Sequence, residues 1–256
     1  MIRNAAAFTA NNRRDYAAAA SFDLVAKPYR WMERLTFGRA LGRCRTHFLP
    51  ELAGCRSALI LGDGDGRFTT ALLRANPHIL IDAVDSSAAM LDLLTQRALI
   101  ASPDASNRLR AHHADARAFV RALAPNATYD LIVTHFFIDC FTQFEIDSLA
   151  VTLAPHLEPG ALWVVSDFRI PPGVMQWPAR ALVRSLYFVF RILTGLRTTH
   201  LPDHAAALTA TGFTRNAQRL SLMGILTTEL WGYTPAQEPA YTPHHAAAAT
   251  TSTRRT

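Results

Sequence analysis

Three glycines, Gly62, Gly64 and Gly66, alternate with two aspartates, Asp63 and Asp65, in the stretch ALILGDGDGRF (58–68). An apolar run leads into it and a helical stretch follows. Glycines at such a junction let the backbone turn tightly and let a ligand lie against the main chain with no Cβ in the way. Asp85 ends the next apolar run, 21 residues after Gly64, where a carboxylate can accept from both hydroxyls of a ribose. Strand, glycine loop, helix, strand and acid together make a nucleoside-binding unit.

The loop aspartates bear on which nucleoside. A dinucleotide brings a pyrophosphate to this place, and Asp63 and Asp65 would repel it at short range. S-adenosylmethionine carries a sulfonium and an ammonium and no phosphate, so nearby negative charge attracts it. The GxGxG spacing also lacks the GxGxxG end expected for NAD or FAD. A plainer alternative has one or both aspartates facing solvent.

A second cluster, THFFIDCF (134–141), ends the fourth apolar run, where ligands bind in open α/β sheets. His135 could take a proton from an acceptor, its ordinary pKa being about 6.5; otherwise it is a hydrogen-bonded structural histidine. Asp139 is either a base or the cap of the following helix. Cys140 reads as packing, and Phe136, Phe137 and Phe141 as pocket wall or core. Asp167, near the end of the fifth run, is a further pocket candidate. His112 and His113 have no companion ligand at metal-binding spacing, so no metal site is read.

The elements that must position these residues alternate. Strand-like runs cover 58–61, 79–84, 109–114, 130–136 and 161–168, with helical stretches near 67–75, 86–101, 115–123 and 141–154. Ser86 is the expected N-cap of the second helix. Alternation of this kind implies a parallel sheet with helices on both faces. A helical insertion (178–196) and a short helix (203–211) precede FTRNAQRLSLMGILTTELWGY, which reads as two strands meeting near Met223 and Gly224. The expected fold is α/β: a Rossmann-like, doubly wound, mostly parallel seven-stranded sheet with a C-terminal antiparallel hairpin and an N-terminal helical cap. Residues 1–20 are expected as a flexible arm, 21–54 as a helical lid, 55–234 as the main domain with an insertion at about 171–205, and 235–256 as a disordered tail.

Residues 58–168 resemble class I S-adenosylmethionine-dependent methyltransferases, with LGDGDGRF, IDAVDSSAAML, HADARAF, YDLIVTHFF and LEPGALWVVSDF in the family's order. The resemblance implies that Gly62, Gly64 and Gly66 line the methionine and ribose portion, with Asp63 and Ser86 beside them, and that Asp85 holds the ribose. It implies Met90 near the adenine, Asp115 accepting from the adenine amino group, Ala116 giving a backbone contact, and Thr134 and His135 bordering the transferred methyl. One position departs: the family's acid two residues before the first glycine is Ile60 here. Upstream, FDLVAKPYRWMERLTFG looks like the N-terminal helix of ubiquinone and menaquinone C-methyltransferases, which implies Phe22 and Tyr29 as lid residues.

Composition bounds the partners. The 256-residue chain has a formal charge of +6. The first twenty residues hold net +2 and the last twenty-two net +1, leaving +3 for the body. With no clustered basic surface, nucleic acid is not expected. Three cysteines without CxxC spacing and no apolar leader suggest the cytoplasm. The run 181–196 contains Arg184 and Arg191, against a membrane span. The insertion's aromatic and apolar residues suggest a small apolar acceptor such as a quinone, phenol or lipid-like molecule, or peripheral membrane contact through Arg180, Arg184, Arg191 and Arg197. The rivals are a catalytically silent cofactor-binding scaffold and a nicotinamide-dependent oxidoreductase.

Overall fold

A computed structural model describes residues 39–194 and 201–235 of the chain. The expected arm, most of the lid with Phe22 and Tyr29, and the tail lie outside the described residues. The described chain starts with α1 (Ala40–Thr46) and a single 3₁₀ turn at Pro50–Leu52. Four strand–helix units and a fifth strand follow: β1 (Ser57–Leu61), α2 (Arg67–Ala75), β2 (Leu80–Asp85), α3 (Ala88–Ala101), the one-turn α4 (Ala105–Arg108), β3 (Leu109–His113), α5 (Ala116–Arg121), β4 (Tyr129–His135), α6 (Gln143–Leu153) and β5 (Leu157–Phe168). Then come α7 (Gln176–Thr194), α8 (His204–Ala210), β6 (Phe213–Ser221) and β7 (Leu226–Tyr233).

The seven strands form one sheet in the order β3-β2-β1-β4-β5-β7-β6. β1 pairs in parallel with β2 and β4, and β7 inserts antiparallel between β5 and β6. This is the sheet the alternation implied. The strand order reverses between β1 and β4, and at such a switch point a crevice opens beyond the carboxyl ends of the strands.

Period-two alternation divides the core between two faces. Leu59, Leu61, Ile132, Trp163 and Val165 pack with α5, α6 and α8. Ala58, Ile60, Leu131, Val133 and Val164 pack with α2, α3 and the Phe48–Leu52 segment. Central strands buried on both faces read as continuous apolar runs, which is why ALIL and DLIV were legible.

Most boundaries fall within two residues of the expected ones, and two departures have a clear local cause. β5 begins at Leu157 rather than 161, because its ladder with β4 continues to the Tyr129–Leu157 pair across a bulge, and Gly160 takes the left-handed φ of +80° there. The cap of α3 is Ser87, not Ser86: its Oγ accepts the Met90 N–H at 3.3 Å. The shift follows from Asp85, whose Oδ1 accepts the Ser87 N–H at 2.9 Å and keeps the chain extended one residue longer. α6 opens on a capping box between Thr142 and Glu145. No helix among the described residues is long and apolar enough to cross a membrane.

Candidate active site

The three loop glycines all have positive φ, at +71°, +59° and +75°, but each needs glycine for a different reason. A Cβ on Gly62 would stand 2.2 Å from the Phe137 ring, and one on Gly66 would stand 2.8 Å from the Leu94 Cα. Gly62 therefore admits an aromatic from the β4 end, and Gly66 admits close packing of α3. Gly64 alone of the three opens onto space among the described residues, with only the Met90 Sδ near, at 3.9 Å. Its N–H donates to Asp85 Oδ2 at 3.1 Å. Gly64, Asp85 and Met90 thus form one rim at the ends of β1 and β2, where a nucleoside can approach the backbone.

Among the described residues Asp85 accepts two backbone N–H bonds, from Gly64 and Ser87, leaving two of its roughly four lone-pair positions for hydroxyl donors. Burial pushes its pKa up to about 6, against the pull of those two N–H groups. Ser86 borders the same rim, its carbonyl meeting His113 Nε2 at 3.1 Å. Asp115, beyond β3, caps α5 through the Arg117 and Ala118 N–H groups and pairs with the Arg117 guanidinium, which also reaches Glu145. Burial alone would raise its pKa, but Arg117 brings it below the ordinary value. Ala116, buried, begins the helix. Tyr29 lies outside the described residues.

The loop aspartates neither face solvent nor stand free. Asp63 is buried, and its carboxylate accepts from the Phe68 N–H at 3.3 Å and from the Thr69 N–H and hydroxyl, both at 2.8 Å. It closes the start of α2 from within. Asp65 is paired with Arg67 and with Arg97, the latter at 3.0 Å. The argument against a diphosphate therefore gains a local basis. Helix-start N–H groups that would cradle a pyrophosphate are already taken by the protein's own carboxylate. The position two residues before Gly62, Ile60, lies in the core at 1% exposure.

At the β4 end the structure separates the candidates. The Thr134 hydroxyl is fully buried and accepts the Trp163 indole N–H at 3.0 Å. His135 points into the α2 face, its Nδ1 2.9 Å from the Ser166 hydroxyl and its ring edge-on to Phe68 at 4.6 Å. Burial, aided by the Arg45 charge, pulls its pKa well below the ordinary value, so it is neutral, and its Nε2 is buried with no hydrogen-bond partner among the described residues. Phe136 holds a φ of +53°, a conformation that side-chain-bearing residues adopt under constraint. This turn sends Phe136 toward Phe168 and lays Phe137 on Gly62 and against Phe141.

Asp139, in the single turn Ile138–Cys140, and Asp167, at the end of β5, form a buried acid pair: the Asp139 N–H donates to Asp167 Oδ2 at 3.1 Å. Burial raises Asp139 to about 6. Burial, and then the Asp139 charge, raise Asp167 well above the ordinary value. Both carboxyls therefore hold a proton to higher pH than a free aspartate does, Asp167 more firmly than Asp139. Asp167 also lines a cleft of about 390 Å³, with Arg169, His204, Gln218, Thr227 and Glu229 among its walls.

Sequence reasoning missed Glu229. Its carboxylate accepts from His204 Nε2, Gln218 Nε2, Thr227 Oγ1 and Trp231 Nε1 at 2.9–3.2 Å. Burial would raise it, but the His204 and Thr227 hydrogen bonds and the Arg215 charge bring it below the ordinary value. An acid inside the apolar strand ILTTELWGY was the available signal, since buried charges are retained only where they are partnered.

Residues 59–163 match a family model described as a methyltransferase domain. No curated protein matches the chain. Among solved structures, an O-methyltransferase family protein from Burkholderia thailandensis is similar at 16% identity and TM-score 0.56, covering 79% of this chain and 62% of its own. The mitomycin 7-O-methyltransferase MmcR is similar at 15% and 0.59, covering 81% and 58%. The N-methyltransferase NodS from Bradyrhizobium japonicum WM9, solved with S-adenosyl-l-homocysteine, is similar at 16% and 0.51, covering 77% and 88%. The chain thus spans about three fifths of the first two. Over residues 59–163 the chain is similar to methyltransferase domains, and its sheet has the fold of class I S-adenosylmethionine-dependent enzymes.

Proposed function

We propose that this chain is an S-adenosylmethionine-dependent methyltransferase acting on a small, mostly apolar acceptor such as a quinone, phenol or lipid-like molecule. The observation that carries the reading is the rim formed by Gly64, Asp85 and Met90, next to a helix start that Asp63 has closed to phosphate. Asp85 accepts the ribose hydroxyls. Met90, Asp115 and Ala116 hold the adenine, and Gly62, Gly64, Gly66 and Ser86 present backbone along the remainder, with Tyr29 as a lid residue. Bound there, S-adenosylmethionine supplies a methyl group on a positively charged sulfur.

The residues' main task is alignment, since displacement at an activated carbon is governed by approach geometry. Phe137 and the strained Phe136 turn set the surface between the glycine loop and the cleft. The acceptor occupies the cleft beside Asp167, and its proton passes to Asp139, the member of the acid pair that burial brings to about 6, near the operating pH as a general base should be. His135, neutral and turned into the core, serves by holding the end of β4 to Ser166. The O- and N-methyltransferase names of the solved neighbours support an acceptor that reacts at a hydroxyl or an amine.

The test is a calorimetric titration with S-adenosylhomocysteine across pH 5–8. Ionised Asp85 accepts the ribose hydroxyls, so affinity is level above pH 7 and falls as pH drops through about 6, approaching tenfold per unit. Stability responds oppositely. A folded-state pKa raised above the ordinary value means that the folded chain binds the proton more tightly, so Asp85's own contribution to stability rises as pH falls from 6 toward 4. An affinity that is flat across this window would remove Asp85 from the site.

A further inference from the structure

We propose that the end of the molecule formed by the β6–β7 turn and the start of α7 docks on an anionic lipid surface. Three apolar side chains there stand out into solvent: Val174 is 91% exposed, Met223 72% and Trp177 71%. Leu220 and Leu222 are exposed beside Met223. The turn that presents them is held in shape. Leu222 and Met223 have φ of +48° and +54°, a region that such residues enter only when their surroundings enforce it. Gly224 packs the turn onto the chain leaving β5, since a Cβ there would stand 3.3 Å from Pro171 and 3.6 Å from the Arg169 guanidinium. The Arg169 N–H also donates to the Ile225 carbonyl at 2.7 Å. Val174 and Trp177 follow Pro171 by three and six residues, so the start of α7 is tied to this turn through the Pro171–Gly224 approach.

The chain that carries them is mostly basic, and the acids at its two ends, Asp167 and Glu229, are buried. From residue 168 to 228 the chain has seven arginines and a single acid, Asp203, and that acid caps α8 through the Ala206 N–H. On α7, Ala179 and Val183 are buried while Trp177 and Arg184 are exposed, and the Arg180 guanidinium lies 5.7 Å over the Trp177 ring. Positions 177, 180 and 184 share a helix face, which therefore carries an aromatic with cations beside it. Apolar tips that insert, with arginines at headgroup level, make an interfacial lipid-binding surface. Arg169 is a wall of the acceptor cleft as well, so the docking face and the cleft adjoin. The docking surface stands independently of the methyltransferase reading.

The experiment is sedimentation of the full chain with phosphatidylcholine vesicles, with and without phosphatidylglycerol, at low and high salt. The expected result is binding that requires phosphatidylglycerol and weakens with salt. The Arg180→Glu/Arg184→Glu double variant should bind roughly twentyfold more weakly or worse, at about fivefold per cation near the surface. Met223→Glu and Trp177→Glu should each reduce binding as well, while Ile100→Glu, which charges an 85% exposed site on α3, should leave it unchanged. Thermal unfolding of each variant confirms the fold. Equal binding by Met223→Glu and wild type, or binding indifferent to phosphatidylglycerol, overturns the proposal. So does a wild-type dimer that Met223→Glu converts to monomer, since the occupant would then be a second copy of the chain.

Discussion

Gly66→Ala should destabilise the protein by about 3 kcal/mol, lowering the midpoint of thermal unfolding by roughly 6–12 °C. Two causes add. At a φ of +75°, an alanine pays about 1–2 kcal/mol for the left-handed conformation. Its Cβ would also stand 2.8 Å from the Leu94 Cα, which is backbone within α3 and cannot swing aside, so α2 and α3 must separate at a further cost of about 1–3 kcal/mol. Gly160→Ala isolates the first cause: Gly160 has a φ of +80° with no atom within 4 Å of the Cβ position. It should lose about 1–2 kcal/mol. Denaturant unfolding of the two variants side by side reads the packing contribution as their difference. Equal losses would mean that Gly66 serves the turn alone.

The second large effect is expected at Asp63. Asp63→Ala removes the acceptor for the Phe68 N–H, the Thr69 N–H and the Thr69 hydroxyl in a buried place. Losing a helix cap costs about 1–2 kcal/mol, and leaving buried donors unpaired adds to it. The expected total is about 2–3 kcal/mol in unfolding free energy, with Asp63→Asn recovering part because its amide oxygen still accepts. A surface aspartate would change stability by less than about 0.5 kcal/mol, so an unfolding curve for Asp63→Ala that overlays the wild type would contradict the cap and return the carboxylate to solvent.

The sheet was legible because burial on both faces writes unbroken apolar runs into β1 and β4, and because Met223 and Gly224 interrupt the last two strands where the chain must reverse. The orientation of His135 had a signal that the sequence reading did not use: it follows Leu131 and Val133 at period two, and those residues face the α2 side of the core. What the spacing could not show is which partner each carboxylate meets. Arg97 reaches Asp65 from 32 residues away, and Asp167 meets the Asp139 N–H across two strand ends. Such pairings depend on helix placement rather than on local pattern. The loop aspartates argued against a diphosphate through their charge, whereas in the structure Asp63 fills the helix start and Asp65 is paired with arginines.

The central claim is that the rim at Gly64, Asp85 and Met90 binds an adenosyl cofactor without a pyrophosphate. Calorimetric titration of S-adenosylhomocysteine into the wild type and Asp85→Ala, with NADH as the competing ligand, tests it most directly. The account predicts saturable binding to the wild type and none of comparable strength for NADH. It also predicts a loss of about 1.5–3 kcal/mol in the variant, tenfold or more in Kd, as the ribose hydrogen bonds go. Unchanged affinity in a folded Asp85→Ala, or NADH binding tighter than S-adenosylhomocysteine, would contradict it.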